Sequence, residues 1–383
     1  MKVGIVGNYG NNNQGDEAIL EGVLVQVEEA YKIDRSEIIV FTNNPLQTHE
    51  KYGVQTVNLF QRRKLDPAKF LATIIHNTPI IRGLDVLLMG GGGILMDLYR
   101  NNPIVYGMYS LTAKLAKTPI VIFGPGVGPI DTFIGKTIIK SIANHAAAIS
   151  VRDQESKELL HSIGVDKSVS VISDPALFIP APQSKLGTKV DFQIGVTAVP
   201  YFNKNYWPKE DREKYSSYIK GMARNLDKLL EEVPSSSVNF FSTKHPHDTE
   251  VTKDIKQLMV NKERCTICDE GLNHRGILEF VNKQDLVIGT RLHSLILSLV
   301  AKTPIIGVAY HPKVKDFMNS IGCSENVIPI ENVDNGDEIF LNLYNEMNQD
   351  WAGTVRRFEM ILDDMKTREP QGATLLKDFS NER

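Results

Sequence analysis

The chain has 383 residues, too many for one comfortable hydrophobic core, so two α/β domains of roughly 170 to 190 residues each are expected. Apolar residues make up 42% and charged residues 23%, an ordinary balance for a soluble protein. A formal net charge of -3 excludes a nucleic-acid binder that works by displacing counterions with surplus Lys and Arg.

The opening MKVGIVGNYG runs from a short basic start straight into a strand pattern, without the longer apolar stretch of a secretory signal. No uncharged apolar run approaches the ~20 residues that span a bilayer. A cytoplasmic protein is expected, at most peripherally attached to the inner face of the cell membrane. Three cysteines make no disulfide framework. Cys265 and Cys268 form a CxxC without the second pair of ligands a structural zinc site needs, so no metal is expected.

Residues 2–7 (KVGIVG) read as a buried strand followed by a Gly/Asn-rich loop. From Asp16 the apolar positions Ile19, Leu20, Val23, Leu24, Val27, Ala30 and Tyr31 repeat at helical spacing, and 37–41 (EIIVF) gives the next strand. The same grammar returns at 85–89 before four glycines, at 119–123 before GPGVGP, and at 148–151 before Arg152 and a helix over 155–162. Unbroken apolar runs predict a parallel sheet covered by helices on both faces. Three prolines and a polar stretch over 174–193 predict a linker, with the domain boundary near 180. A second series of strands follows at 194–199, 238–241, 285–288 and 304–308, with a closing helix at 351–366. The expected architecture is two Rossmann-like domains facing a cleft: residues 1–180 on the acceptor side, 185–365 on the donor side, and a C-terminal tail over 366–383.

In an open parallel sheet, ligands sit beyond the carboxyl ends of the strands. The first such loop, GNYGNNNQGDE, lacks the Lys and Ser/Thr of a phosphate-cradling loop and does not match GxGxxG. Its Asn8, Gly10 and Asp16 are candidates for an acceptor's hydroxyl groups. The run Gly90–Gly93 has more glycines than a turn needs, so Gly91 and Gly92 are expected against a ligand, with Asp97 as a sugar partner or base. The strongest element is GTRLHS over 289–294, between a buried strand and an apolar helix. The helix start attracts an anion. Arg291 supplies a planar cationic fork for a carboxylate or phosphate, and His293 a group that exchanges protons near neutral pH. Thr290 and Ser294 complete the expected donor set. Arg152 ends a strand of the first domain, from which it is expected to face the same cleft. His245 and His247 read as a polar loop rather than metal ligands.

With these residues assembled, the chain resembles the polysaccharide pyruvyl transferase family over nearly its whole length. The resemblance rests on an ordered series: GNYGNNNQGDEAIL, GGGGILMD, FGPGVGP, SVRDQES, DPALF and GTRLHSLILSLVAKTPIIG. It implies a fold similar to two-domain GT-B glycosyltransferases, with phosphoenolpyruvate as co-substrate, a saccharide acceptor that is free or lipid-linked, and no cofactor. The product would be a pyruvate ketal bridging two hydroxyls of one sugar of a cell-wall or extracellular polysaccharide. The resemblance also implies that Arg152, Arg291 and His293 hold the donor. On this reading protonated His293 is the general acid and Asp97 the candidate base. Two other readings share the architecture: a nucleotide-sugar glycosyltransferase or epimerase, and a non-catalytic sensor of an anionic metabolite. A nicotinamide dehydrogenase is disfavoured because GxGxxG is absent after the first strand.

Overall fold

The computed structural model describes residues 1–60, 67–99, 101–182, 191–204, 207, 210–368 and 370–381. The chain divides into two compact units, Met1–Ile179 with Lys366–Arg383, and Pro180–Met365. Part of the stretch expected to be a linker, 183–190, lies outside the described residues.

The N-terminal unit alternates strands and helices in chain order: β1 (Val3–Val6), α1 (Gln14–Tyr31), β2 (Ile38–Thr42), α2 (Pro45–Tyr52), β3 (Gln55–Asn58), α3 (Pro67–Arg82), β4 (Val86–Gly90), α4 (Asn102–Ala116), β5 (Ile120–Phe123), α5 (Phe133–His145), β6 (Ala148–Val151), α6 (Gln154–Ser162) and β7 (Ser170–Val171). All pairings are parallel, in the order β3-β2-β1-β4-β5-β6-β7. Each of β1, β4 and β5 is buried along its whole length, as expected of strands covered on both faces. Helix starts are set by short polar caps: Asn13 accepts from Gly15 N, Thr132 from Gly135 N and Asp153 from Ser156 N. Gly22 of α1 lies so close to the carbonyl of Pro175 that no side chain would fit, which seats the tight turn Pro175–Phe178 on that helix.

The second unit repeats the plan: β8 (Phe192–Thr197), α7 (Arg212–Glu232), β9 (Ser236–Phe240), α8 (His247–Leu258), β10 (Cys265–Ile267), α9 (His274–Asn282), β11 (Leu286–Gly289), α10 (Leu292–Val300), β12 (Ile305–Ala309), α11 (Pro312–Ser320), β13 (Val327–Pro329), α12 (Ile339–Asn348) and α13 (Trp351–Thr367). Its parallel sheet runs β10-β9-β8-β11-β12-β13. In both sheets the first strand of the unit has the second on one side and the fourth on the other. The strand order therefore reverses at β1/β4 and at β8/β11, the places where open sheets leave a crevice for ligands.

The segment expected as a tail is instead part of the first unit. Helix α14 (Gly372–Asn381) packs on α1, with Ala373, Leu376 and Phe379 buried. Three apolar residues at helical spacing in a short final stretch supply the reason, since they need a partner surface to leave water. Among the described residues no helix is long and apolar enough to cross a membrane.

Candidate active site

The loops after β1 and β4 meet at the reversal point of the first sheet. Asp16, at the start of α1, is held by two amides: Asn8 Nδ2 donates to its Oδ2 at 2.8 Å and Asn13 Nδ2 at 2.9 Å. Its other oxygen, Oδ1, lies against Gly92, whose positive φ (+63°) and missing side chain allow the approach. Burial pushes the Asp16 carboxyl up to about 6, against the pull of the Asn8 hydrogen bond and the positive charge of Arg152. The neighbouring Glu17 accepts from Gly10 N, Lys51 Nζ and Tyr52 OH, and so ties the loop to α2.

From Gly92 a continuous wall leads to Arg152. Gly126 N donates to Gly92 O at 3.1 Å, and a side chain at Gly126 would strike the Arg152 guanidinium. The Arg152 side chain is only 7% exposed, and its Nη1 donates to Asp174 Oδ2 at 2.7 Å, with Asp153 3.6 Å from Nε. Asp174 in turn accepts from Ala176 N, at the turn seated on α1. Burial alone would weaken the charge on Arg152, but Asp174 and Asp153 more than offset it and hold the guanidinium cationic. The wall thus carries a carboxylate at one end and a fixed cation at the other, joined by glycine backbone.

Asp97 does not belong to this wall. It is buried, and its carboxylate accepts from Asp131 N, Thr132 N and Thr132 Oγ1 at 2.6 to 3.1 Å, fastening the β5–α5 connection. Burial would raise its carboxyl, yet the hydrogen bonds from Thr132 and Asp131 win and lower it below the ordinary carboxylate value. A base or sugar ligand was expected at Asp97; in the structure both of its oxygens are engaged within the protein and their basicity is reduced. At Gly10 a side chain would strike Thr42 and Asn44, so this close turn admits only glycine. Gly91 backs onto Tyr9, whose hydroxyl donates to Gly90 O at 2.6 Å, while Asn8 remains half-exposed.

In the second unit β11 delivers Arg291 to the N-terminus of α10. Arg291 Nε donates to Asp248 Oδ1 at 3.1 Å and Nη2 to the same oxygen at 2.5 Å. Asp248 is fully buried and also accepts from Thr243 N and Lys244 N, so the loop after β9 sets the guanidinium's plane. The Tyr310 ring lies 6.0 Å from that guanidinium, at the edge of cation–π range. His293, the second residue of α10, is half-buried. Thr290 and Ser294 are both 0% exposed. Ser294 Oγ donates to Arg291 O at 2.6 Å and shares a 3.0 Å hydrogen bond with Thr197 Oγ1, which also accepts from Thr290 N. Donor contacts were expected of Thr290 and Ser294; in the structure Ser294 Oγ and the Thr290 backbone brace the loop against Thr197.

In the sequence Asp174 is only the first residue of DPALF and Asp248 only the neighbour of His247, and neither stands out as the partner of an arginine. A buried Arg at a strand's carboxyl end was the available signal, because it calls for a carboxylate somewhere in the fold. The two cysteines of the CxxC are free, and burial pushes the Cys265 thiol up to about 11. His245 Nδ1 lies 3.2 Å from Thr249 Oγ1. Among the described residues no group of three His, Cys, Asp or Glu side chains is placed to hold a metal ion.

The family model for polysaccharide pyruvyl transferase matches residues 13–312, a span that takes in Asp16, Arg152 and the Arg291–His293 loop. The chain belongs to this family. This family member is 23% identical to the amylovoran biosynthesis protein AmsJ of Erwinia amylovora, over 96% of its own length and 99% of the relative's. Solved structures show the fold. A glycosyltransferase from Rickettsia africae superposes with a TM-score of 0.64 at 11% identity, covering 100% of this chain and 99% of that one. HepE of Anabaena, in complex with UDP and glucose, gives 0.60 at 11% identity, with 100% and 98% covered. The UDP-GlcNAc 2-epimerase of Neisseria meningitidis gives 0.61 at 13% identity and 100% of both chains. The architecture is therefore GT-B-like, and the chain is a transferase-family protein of polysaccharide modification.

Proposed function

We propose that this protein transfers the pyruvyl group of phosphoenolpyruvate to two hydroxyls of one sugar in a cell-envelope or exported polysaccharide, or its lipid-linked precursor, forming a ketal. The observation that carries the reading is the wall of the first domain, where the buried cation of Arg152 and the amide-held carboxylate of Asp16 are joined by bare glycine backbone. A carboxylate-bearing donor and a hydroxyl-bearing acceptor call for that combination. Family membership and the amylovoran relative support the polysaccharide side of it.

Arg152 in the first unit, and Arg291 with the backbone N–H groups of the α10 N-terminus in the second, are each suited to an anionic group of the donor. His293 gives a proton to C3 of the enol, C2 becomes cationic, and the first sugar hydroxyl adds there while Asp16 takes its proton. The C–O bond to phosphate then breaks, the second hydroxyl closes the ring, and its proton leaves with the phosphate. One proton enters carbon, one leaves on phosphate, and two come from the hydroxyls, so the sum balances. Proton transfer of this kind is worth ~100 to 10,000-fold in rate.

The test is incubation with carbon-labelled phosphoenolpyruvate and a panel of lipid-linked and nucleotide sugars, read by mass spectrometry. The expected outcome is a labelled ketal plus inorganic phosphate, lost in a folded His293→Ala variant. Transfer of sugar from a UDP-sugar, with no labelled carbon in the product, would establish the glycosyltransferase reading instead.

A further inference from the structure

Thirteen large hydrophobic side chains are exposed among the described residues, and eight of them fall between Leu71 and Ile134. They are Leu71 and Ile75 on α3, Leu111 and Leu115 on α4, Phe133 and Ile134 at the start of α5, and Leu98 and Tyr99 after β4. Helix α4 packs between α3 and α5, so the three form one layer. The charge on that layer is equally uneven. The chain carries 46 Asp and Glu, yet α3, α4 and α5 contain none. Their exposed charges are Arg82, Lys114, Lys136 and Lys140, with Lys117 at the α4 C-cap. A protein of net charge -3 has thus concentrated basic and apolar residues on one face.

The apolar side chains at the carboxyl edge of the sheet are held rather than left loose. The Asp97 carboxylate binds the backbone of Asp131 and Thr132, which brings the residues after β4 against the start of α5. Leu98 (61% exposed), Tyr99 (62%), Phe133 (84%) and Ile134 (66%) extend from the two ends of that clamp. Among the described residues of these two segments, Asp131 is the exposed acid. Such side chains fixed in water are disfavoured unless another phase receives them.

We propose that the α3–α4–α5 face docks on an anionic phospholipid surface, with Leu98, Tyr99, Phe133 and Ile134 entering the interface between headgroups and acyl chains. A bilayer offers both chemistries the face presents: an apolar boundary for the tip and negative headgroups for the lysines. A second copy of this chain fits less well, because a two-fold contact would bring the same lysines toward one another. The tip stands on the sheet edge that carries Asp16 and Gly92, so docking there sets a lipid-borne acceptor within their reach. That consequence rests on the function proposed above; the docking itself does not.

The experiment is flotation of the full chain with vesicles of phosphatidylcholine alone and of phosphatidylcholine mixed with phosphatidylglycerol. Flotation is expected with the mixed vesicles only, and added salt should weaken it. Phe133→Ser/Ile134→Ser and Lys136→Glu/Lys140→Glu should each reduce it by about tenfold or more. Val260→Ser, which removes an 81% exposed side chain of the second domain, should leave it unchanged. Equal flotation on both vesicle types, or none on either, overturns the proposal. So does a dimer in sedimentation velocity that the Phe133→Ser/Ile134→Ser pair converts to monomer, since the face is then an interface between copies.

Discussion

On the proposed mechanism Asp16 is the base of the first domain. Its carboxyl sits at about 6 because burial outweighs the Asn8 hydrogen bond and the Arg152 charge. A base works only when ionised, so the acid limb of the pH–rate profile should rise through about 6. In Asp16→Asn that acid limb should vanish and the rate fall ~100-fold or more, read from a pH–rate profile of the labelled ketal. An unchanged limb in the variant assigns the titration elsewhere. The stability sign runs the other way. Raised from 3.8 to about 6, the folded carboxyl favours its neutral form, so its contribution is full below the ordinary value and is lost as pH climbs through about 6. The difference amounts to ~3 kcal/mol, and Asp16→Asn should recover part of it at neutral pH. The environment of the buried arginines was only half legible in the sequence. Arg152, Arg291 and His293 announce themselves by their place after buried strands. Their carboxylate partners, Asp174 and Asp248, lie 22 and 43 residues away and become visible only when the chain is folded.

Elements were easiest to read where they are long and buried. The runs that became β1, β4, β5, β11 and β12 are continuous apolar stretches that announce covered parallel strands. Strands β7, β10 and β13, of two or three residues each, are too short to show any period and owe their existence to the neighbours they extend. The β5–α5 connection shows why the role of Asp97 is ambiguous in the sequence. A carboxylate after a glycine run has the same sequence whether it faces a ligand or fastens a helix 35 residues on. Its structural role predicts that Asp97→Ala destabilises the fold by about 2 to 4 kcal/mol, measured by urea unfolding, while turnover per folded molecule is retained. Loss of turnover without loss of stability would return Asp97 to the chemistry.

At the scale of the molecule, two units of the same strand order are joined in one chain whose last helix returns to the first unit. Leu376 of α14 is fully buried in that return. Leu376→Ala should cost ~2 to 5 kcal/mol in the unfolding transition that reports on the N-terminal unit. A change below about 1 kcal/mol would mean that α14 adds little to that core.

The return of α14 means that the first unit is made from two separate stretches of chain, Met1–Ile179 and Lys366–Arg383, with the second unit inserted between them. A fragment cut after residue 179 therefore lacks the buried side chain of Leu376 and exposes to water the part of α1 that α14 covers.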